Sequence, residues 1–189
     1  ACRAYALKCL KFEFIDTNSQ QEMGAMMGLA MATYNYKSAM TDKPFADYPT
    51  VEIFKYNDFF DKRILSEARI RSQAVNWARH LVNTPPNICN PTSVAHLAKR
   101  LFKDKKNIQF EIWDFKRLQK ESMGLHLGVG QGSENPPCMI HIRYRSPKNK
   151  SKPVAFVGKG ISFDTGGLDI KPSSGMRLMK KDMGGAAAV

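Results

Sequence analysis

From Pro153 to Val189 the chain reads PVAFVGKGISFDTGGLDIKPSSGMRLMKKDMGGAAAV. No other segment restricts the fold as much. The run VAFV is apolar at consecutive positions, the pattern of a strand buried on both faces. It closes on Gly158. Gly158-x-Gly160, Gly166-Gly167 and Gly184-Gly185 then let the backbone turn tightly. Between those turns stand Lys159, Asp164, Lys171 and Asp182. In sheets flanked by helices, ligands collect beyond the carboxyl ends of the strands, where Lys159 falls.

The rest of the chain alternates strand and helix signals. Residues 7–15 (LKCLKFEFI) alternate partly and predict a strand. Residues 20–37 are rich in Ala and Met and predict a packed helix, with Gly24 and Gly28 allowing close backbone approach. Residues 41–50 (TDKPFADYPT) read as a Pro-rich loop and residues 51–56 as a short strand. The longest helical pattern runs over residues 57–82, with Asp58 as N-cap. Its approximate apolar stripe is Ile64, Ala68, Ile70, Ala74, Trp77, Ala78 and Leu81, and Asn83-Thr84-Pro85-Pro86 ends it. A second unit follows. It reads as a helix over 93–102 with Pro91 near its start, a strand over 108–113, a short helix over 115–121, a Gly-rich loop over 125–133, and strands over 139–144 and 154–157. This alternation predicts an α/β fold, a sheet with helices on its faces.

Composition narrows the class. A chain of 189 residues holds one ordinary domain or parts of two. With 43% hydrophobic and 24% charged residues it reads as globular. No apolar run approaches the ~20 residues needed to span a bilayer, so no membrane partner is expected. Arg3, Lys8 and Lys11 interrupt the N-terminal segment, which does not read as a signal peptide. The absence of an initiator Met suggests a piece of something longer. Cys2, Cys9, Cys89 and Cys138 lack CxxC spacing and read as reduced thiols. The net charge of +12 permits attraction to anionic partners. Its densest stretches, 99–106 and 143–152, read instead as a helix end and a polar turn, so nucleic acid is not the expected partner. His80, His96, His126 and His141 are spread singly and read as packing or surface, and Trp77 and Trp113 as core.

Spacing alone leaves two readings of the terminal segment open. Asp164 caps a turn, Asp182 caps a helix and the lysines are solvated. Alternatively the four groups converge. Two carboxylates brought together repel unless a cation intervenes, and a pair of divalent metals there would activate water. A phosphate-binding loop is excluded, because GxxxxGK[ST] is absent, and Gly128-x-Gly130-x-Gly132 is not GxGxxG.

The same residues resemble a known family. In the M17 leucyl aminopeptidases, VGKG-x-x-FD-[ST]-GG-x-x-x-K is followed by M-x-x-M-x-x-DM-x-GA. The chain matches at Val157-Gly158-Lys159-Gly160, Phe163-Asp164-Thr165-Gly166-Gly167, Lys171, Met176, Met179 and Asp182-Met183-Gly184-Gly185-Ala186. NTPPNICNPTSVAHLAKRL and GVGQGSENPP are also similar to the start of that family's catalytic domain, and the similarity fades before about residue 55. The resemblance implies the end of a variable N-terminal α/β domain over 1–56, a linker helix over 57–82, and the first part of an α/β metallo-aminopeptidase domain, a mixed sheet flanked by helices, over 83–189.

By the same resemblance, Asp164 bridges two metals, Lys159 as a neutral amine and Asp182 hold the more exchangeable one, Lys171 polarises the scissile carbonyl, and Met179 lines the pocket for the substrate's first side chain. The implied cofactors are two divalent ions, zinc or manganese with magnesium or cobalt as alternatives, and bicarbonate in a complete site. The implied protein is a homohexamer in the cytoplasm, with mitochondria as the alternative compartment, that removes N-terminal Leu and other apolar residues from peptides. The family's downstream NTDAEGR motif is not within residues 1–189, so the chain alone is expected to be an incomplete and inactive fragment. Arg177, Lys180 and Lys181 stand where relatives often carry an acid. They leave room for the alternative of a non-catalytic, structural family member.

Overall fold

The computed structural model describes residues 9–34, 36, 50–56, 58–148 and 151–189. Expectations at residues 1–8, 35, 37–49, 57 and 149–150 lie outside the described residues. Its contacts divide the chain into two units, Ala1–His80 and Leu81–Val189.

In the first unit, strands β1 (Cys9–Phe14) and β2 (Thr50–Lys55) pair in parallel, from Cys9 opposite Thr50 to Phe14 opposite Lys55. Parallel neighbours need a crossover, and helix α1 (Ser19–Ala32) lies within it. Asn18 starts α1 by accepting from the Gln20 and Gln21 backbone N–H groups, while the Gln21 side chain accepts from Asn18 N–H. The helix ends at Ala32, earlier than the pattern predicts, with Thr33 as its cap. No described atom lies within 4 Å of where a Cβ on Gly24 or Gly28 would stand, so those glycines do not serve a close approach here.

Helix α2 (Lys62–Asn83) starts later than expected. Asp61, not Asp58, caps it, accepting from Arg63 N–H at 2.7 Å. Asp58 instead pairs with Lys55 at 2.9 Å, and Lys55 also reaches Glu22 at 3.1 Å. Glu22 is only 2% exposed and takes a further hydrogen bond from Thr17. A buried carboxylate is stable only when so paired. Within this unit the Arg79 guanidinium donates to Met31 O at 2.9 Å, placing a cation at the negative end of α1. The expected apolar stripe of α2 is only partly buried. Ala68 is buried beside Ser72, but Ile70 and Trp77 are largely exposed, so Trp77 is not core. Trp77 instead meets His80 edge-on.

In the second unit, Asn90 and Ser93 cap each other at the start of α3 (Pro91–Phe102), with Pro91 in its first turn. Strands β3 (Ile108–Trp113) and β4 (Met139–Tyr144) pair antiparallel, from Ile108 opposite Tyr144 to Trp113 opposite Met139. Asp114 caps α4 (Phe115–Lys120) through Arg117 N–H. The glycine-rich stretch expected to be a loop is largely helix α5 (Gly124–Gly130). Each interior glycine costs a helix only about 1 kcal/mol, and packing outweighs that. Gly130 has a packing role, since a Cβ there would stand 2.7 Å from the Pro137 ring.

Among the described residues no regular element lies between β4 and α6 (Ser173–Met176). The run VAFV is therefore not a strand in this structure. No described strand lies beside it to take its N–H and C=O groups. Phe156 and Val157 are 78% and 93% exposed. A 3-10 turn (Met179–Lys181) and a short helix α7 (Gly184–Ala188) close the described fold. The α/β class holds, with parallel and antiparallel pairing in separate two-stranded sheets. The core of this unit is Cys89, Ala95, Leu118, Met179 and Met183.

Candidate metal centre

The segment after residue 157 has little regular structure, and its glycines fix its path. Asp164 Oδ1 accepts from Gly166 N–H at 2.8 Å, an Asx-type turn. Gly166 and Gly167 then take φ of +94° and +78°, open to glycine at little cost. A Cβ on Gly166 would lie 2.4 Å from Asp169 O. The loop closes where Lys171 N–H donates to Thr165 O at 2.9 Å. That closure returns the Lys171 side chain to Asp164, Nζ to Oδ2 at 2.5 Å.

A second pair forms alongside. Ala186 N–H, in α7, donates to Lys159 O at 2.8 Å, so residues 158–160 run against the start of that helix. Asp182 lies just before the helix, and Lys159 Nζ is 3.0 Å from Asp182 Oδ2. The two pairs share a field. The Lys171 hydrogen bond, and after it the Gly166 N–H, hold the Asp164 carboxyl below the usual carboxylate range. The charges of Lys171 and Lys159 act in the same direction, and partial desolvation opposes them.

The four predicted polar residues are thus paired two by two, Lys171 with Asp164 and Lys159 with Asp182, and the charge of Lys159 also acts on Asp164. Both readings left open by spacing hold in part at Asp164, which caps a turn and also joins the cluster. Asp182 does not cap α7, whose N-cap Met183 is without a side-chain cap bond. Met179 is buried, and Met183 is 2% exposed. Arg177, Lys180 and Lys181 face solvent. His141 meets Trp113 edge-on, and His80 meets Trp77 in the same way. Burial pushes the Cys89 and Cys138 thiols up, as expected of packed rather than reactive cysteines. Sequence reasoning missed the direct backbone contact of Gly158 with Gly185, visible in the sequence only as two separate glycine turns.

The donor chemistry fits a divalent cation. Carboxylate oxygens suit manganese, magnesium and zinc, and an amine nitrogen suits zinc. Here each carboxylate carries an ammonium group in the position of a counter-charge. Among the described residues no group of three or more His, Cys, Asp and Glu side chains could hold a metal. Asp164, Asp182 and Lys159 would by themselves supply only part of a metal's shell.

Comparison with known proteins shows the family to which the chain belongs. Residues 76–189 match the model of the cytosol aminopeptidase family, catalytic domain. The chain is 36% identical over 190 residues to a cytosol aminopeptidase from Encephalitozoon cuniculi (strain GB-M1), covering 98% of this chain and 38% of that protein. It is 45% identical over 128 residues to a protein described as a probable cytosol aminopeptidase from Pseudomonas fluorescens (strain SBW25), covering 68% of this chain and 26% of that one. Among solved structures it resembles a cytosol aminopeptidase from Coxiella burnetii, with a TM-score of 0.77 and 28% identity over 97% of this chain and 38% of the other. It also resembles the bottromycin maturation enzyme BotP, solved in complex with Mn, with a TM-score of 0.76 and 26% identity over 96% of this chain and 38% of that one. The chain thus spans well under half the length of these relatives.

Proposed function

The chain belongs to the cytosol aminopeptidase family, and we propose that the protein carrying it is a metal-dependent exopeptidase that removes amino acids from peptide N-termini. The observation that supports this best is the convergence of Lys171 on Asp164 and of Lys159 on Asp182. In this reading Asp164 is the ligand shared by two metals, and Asp182 with Lys159, as a neutral amine, holds the second. A divalent pair supplies Lewis acidity and lowers the pKa of bound water. Lys171 supplies a fixed positive charge beside the carboxylate that would anchor the metals, suited to stabilising negative charge developing on the scissile carbonyl oxygen. Met179, which is buried, belongs in this reading to the apolar wall that would favour Leu and similar first side chains.

The relative solved with Mn supports manganese as one candidate metal, with zinc as the other. Bicarbonate in the complete site, a homohexameric assembly and a cytoplasmic location are parts of the same proposal. So are a domain division at residues 1–56, 57–82 and 83–189, and the inactivity of residues 1–189 alone. Three donors fall short of the four to six ligands of a divalent metal. The non-catalytic alternative has Arg177, Lys180 and Lys181 in its favour, but their exposure leaves the carboxylates paired with Lys159 and Lys171 only.

The test is hydrolysis of a Leu-amide by the full-length protein. Activity should vanish in chelator and return with Mn²⁺ or Zn²⁺. Full activity of metal-stripped protein would remove the metal from the account. Absence of activity at every metal tried would favour the non-catalytic reading.

A further inference from the structure

Lys159 and Asp182 lie on different stretches of irregular backbone, and beside their own ion pair a close backbone contact ties the two stretches together. A Cβ on Gly158 would stand 2.5 Å from Gly185 O and 2.7 Å from Ala186 N and Cα. A Cβ on Gly185 would stand 2.9 Å from Lys159 N. Ordinary heavy-atom contact is about 3.5–4.0 Å, and these neighbours are backbone atoms that cannot swing aside. Neither glycine has a positive φ. Their requirement is for space, not for conformational freedom. The neighbouring Gly160 is different, since its Cβ would meet only the Ala186 methyl, at 3.3 Å.

We propose that Gly158 and Gly185 are positioning residues for the metal held by Lys159 and Asp182: their backbone contact, locked by the bond from Ala186 N–H to Lys159 O, sets the gap between those two ligands. The argument rests on the metal-centre reading above and adds the device that builds one half of it. Lys159 directly follows Gly158 on one side of the contact, and Asp182 precedes Gly185 by three residues on the other. A side chain at either glycine therefore pushes the ligand-bearing stretches apart. The Asp164–Lys171 pair is closed by its own turn, so the effect falls on one metal rather than both.

The experiment measures Mn²⁺ binding to the full-length, metal-stripped protein by equilibrium dialysis, with the visible spectrum of Co²⁺-loaded protein as a second signature. Gly158→Ala and Gly185→Ala should each retain one tight equivalent and bind the other about 10–100-fold more weakly, the range for losing an outer support of a metal ligand. Gly160→Ala should bind like wild type. A Gly158→Ala protein with two wild-type equivalents would overturn the proposal, while a wild type binding no metal would overturn the metal-centre reading itself. Hydrogen exchange of wild type covers the case in which the variants fail to fold. The Ala186 amide should be protected before metal is added. If it is protected only in the loaded protein, the contact is a consequence of metal binding and the proposal fails.

Discussion

At the scale of single residues, Asp164 and Lys171 have separable tasks. Lys171→Ala should lower kcat of the full-length enzyme by about 10²–10³, the usual loss for one electrostatic donor to a developing oxyanion. Its metal content should stay at the wild-type level by elemental analysis. A loss of metal with kcat per loaded site unchanged would make Lys171 a structural residue. The Asp164 carboxyl also links charge to stability. Its pKa is lowered in the folded chain, first by Lys171 and then by the Gly166 N–H. A depressed carboxylate stabilises the fold above its unfolded value, near the 3.8 of a free Asp, and that contribution is lost as pH falls through the lower folded value. Metal-free Asp164→Asn protein should therefore show a flatter fall of melting temperature below about pH 4 than metal-free wild type. Parallel curves for the two proteins would show that the Lys171–Asp164 pair does not form in solution.

At the scale of elements, what was legible in the sequence was what local rules decide. The Asn90-Pro91 start of α3 follows from capping chemistry, and the β3 and β4 runs end within a residue of where their patterns do. The failures occur where a neighbour decides. Nothing in VAFV tells whether a partner strand is present, and without a described one the same residues form no strand. The glycines of α5 look like loop chemistry until Pro137 is seen against Gly130. Asp58 and Asp61 are equally good caps by type, and Lys55 decides between them by claiming Asp58. The motif residues of the site were legible singly, whereas their pairing was not. Gly28 in α1 is the sharpest element-scale test. With open space around it and helical neighbours on both sides, Gly28→Ala should stabilise the protein by roughly 0.5–1 kcal/mol. A lower denaturation midpoint would mean that a surface packs against that glycine after all.

At the scale of the whole molecule, the chain corresponds to one part of its relatives. It spans between 26% and 38% of the length of the relatives compared. It pairs two lysines with two carboxylates, while among the described residues no group of three or more His, Cys, Asp and Glu side chains could hold a metal. The exposed apolar side chains of Val154, Phe156 and Val157 shortly precede Lys159 in the chain. The most direct measurement of the central claim is the metal stoichiometry of the full-length protein, wild type against Asp164→Ala, dialysed against Mn²⁺ and read by elemental analysis. The account predicts two equivalents for wild type and loss of both in the variant, because the ligand shared by the two metals is gone. An Asp164→Ala protein that keeps both equivalents would contradict it.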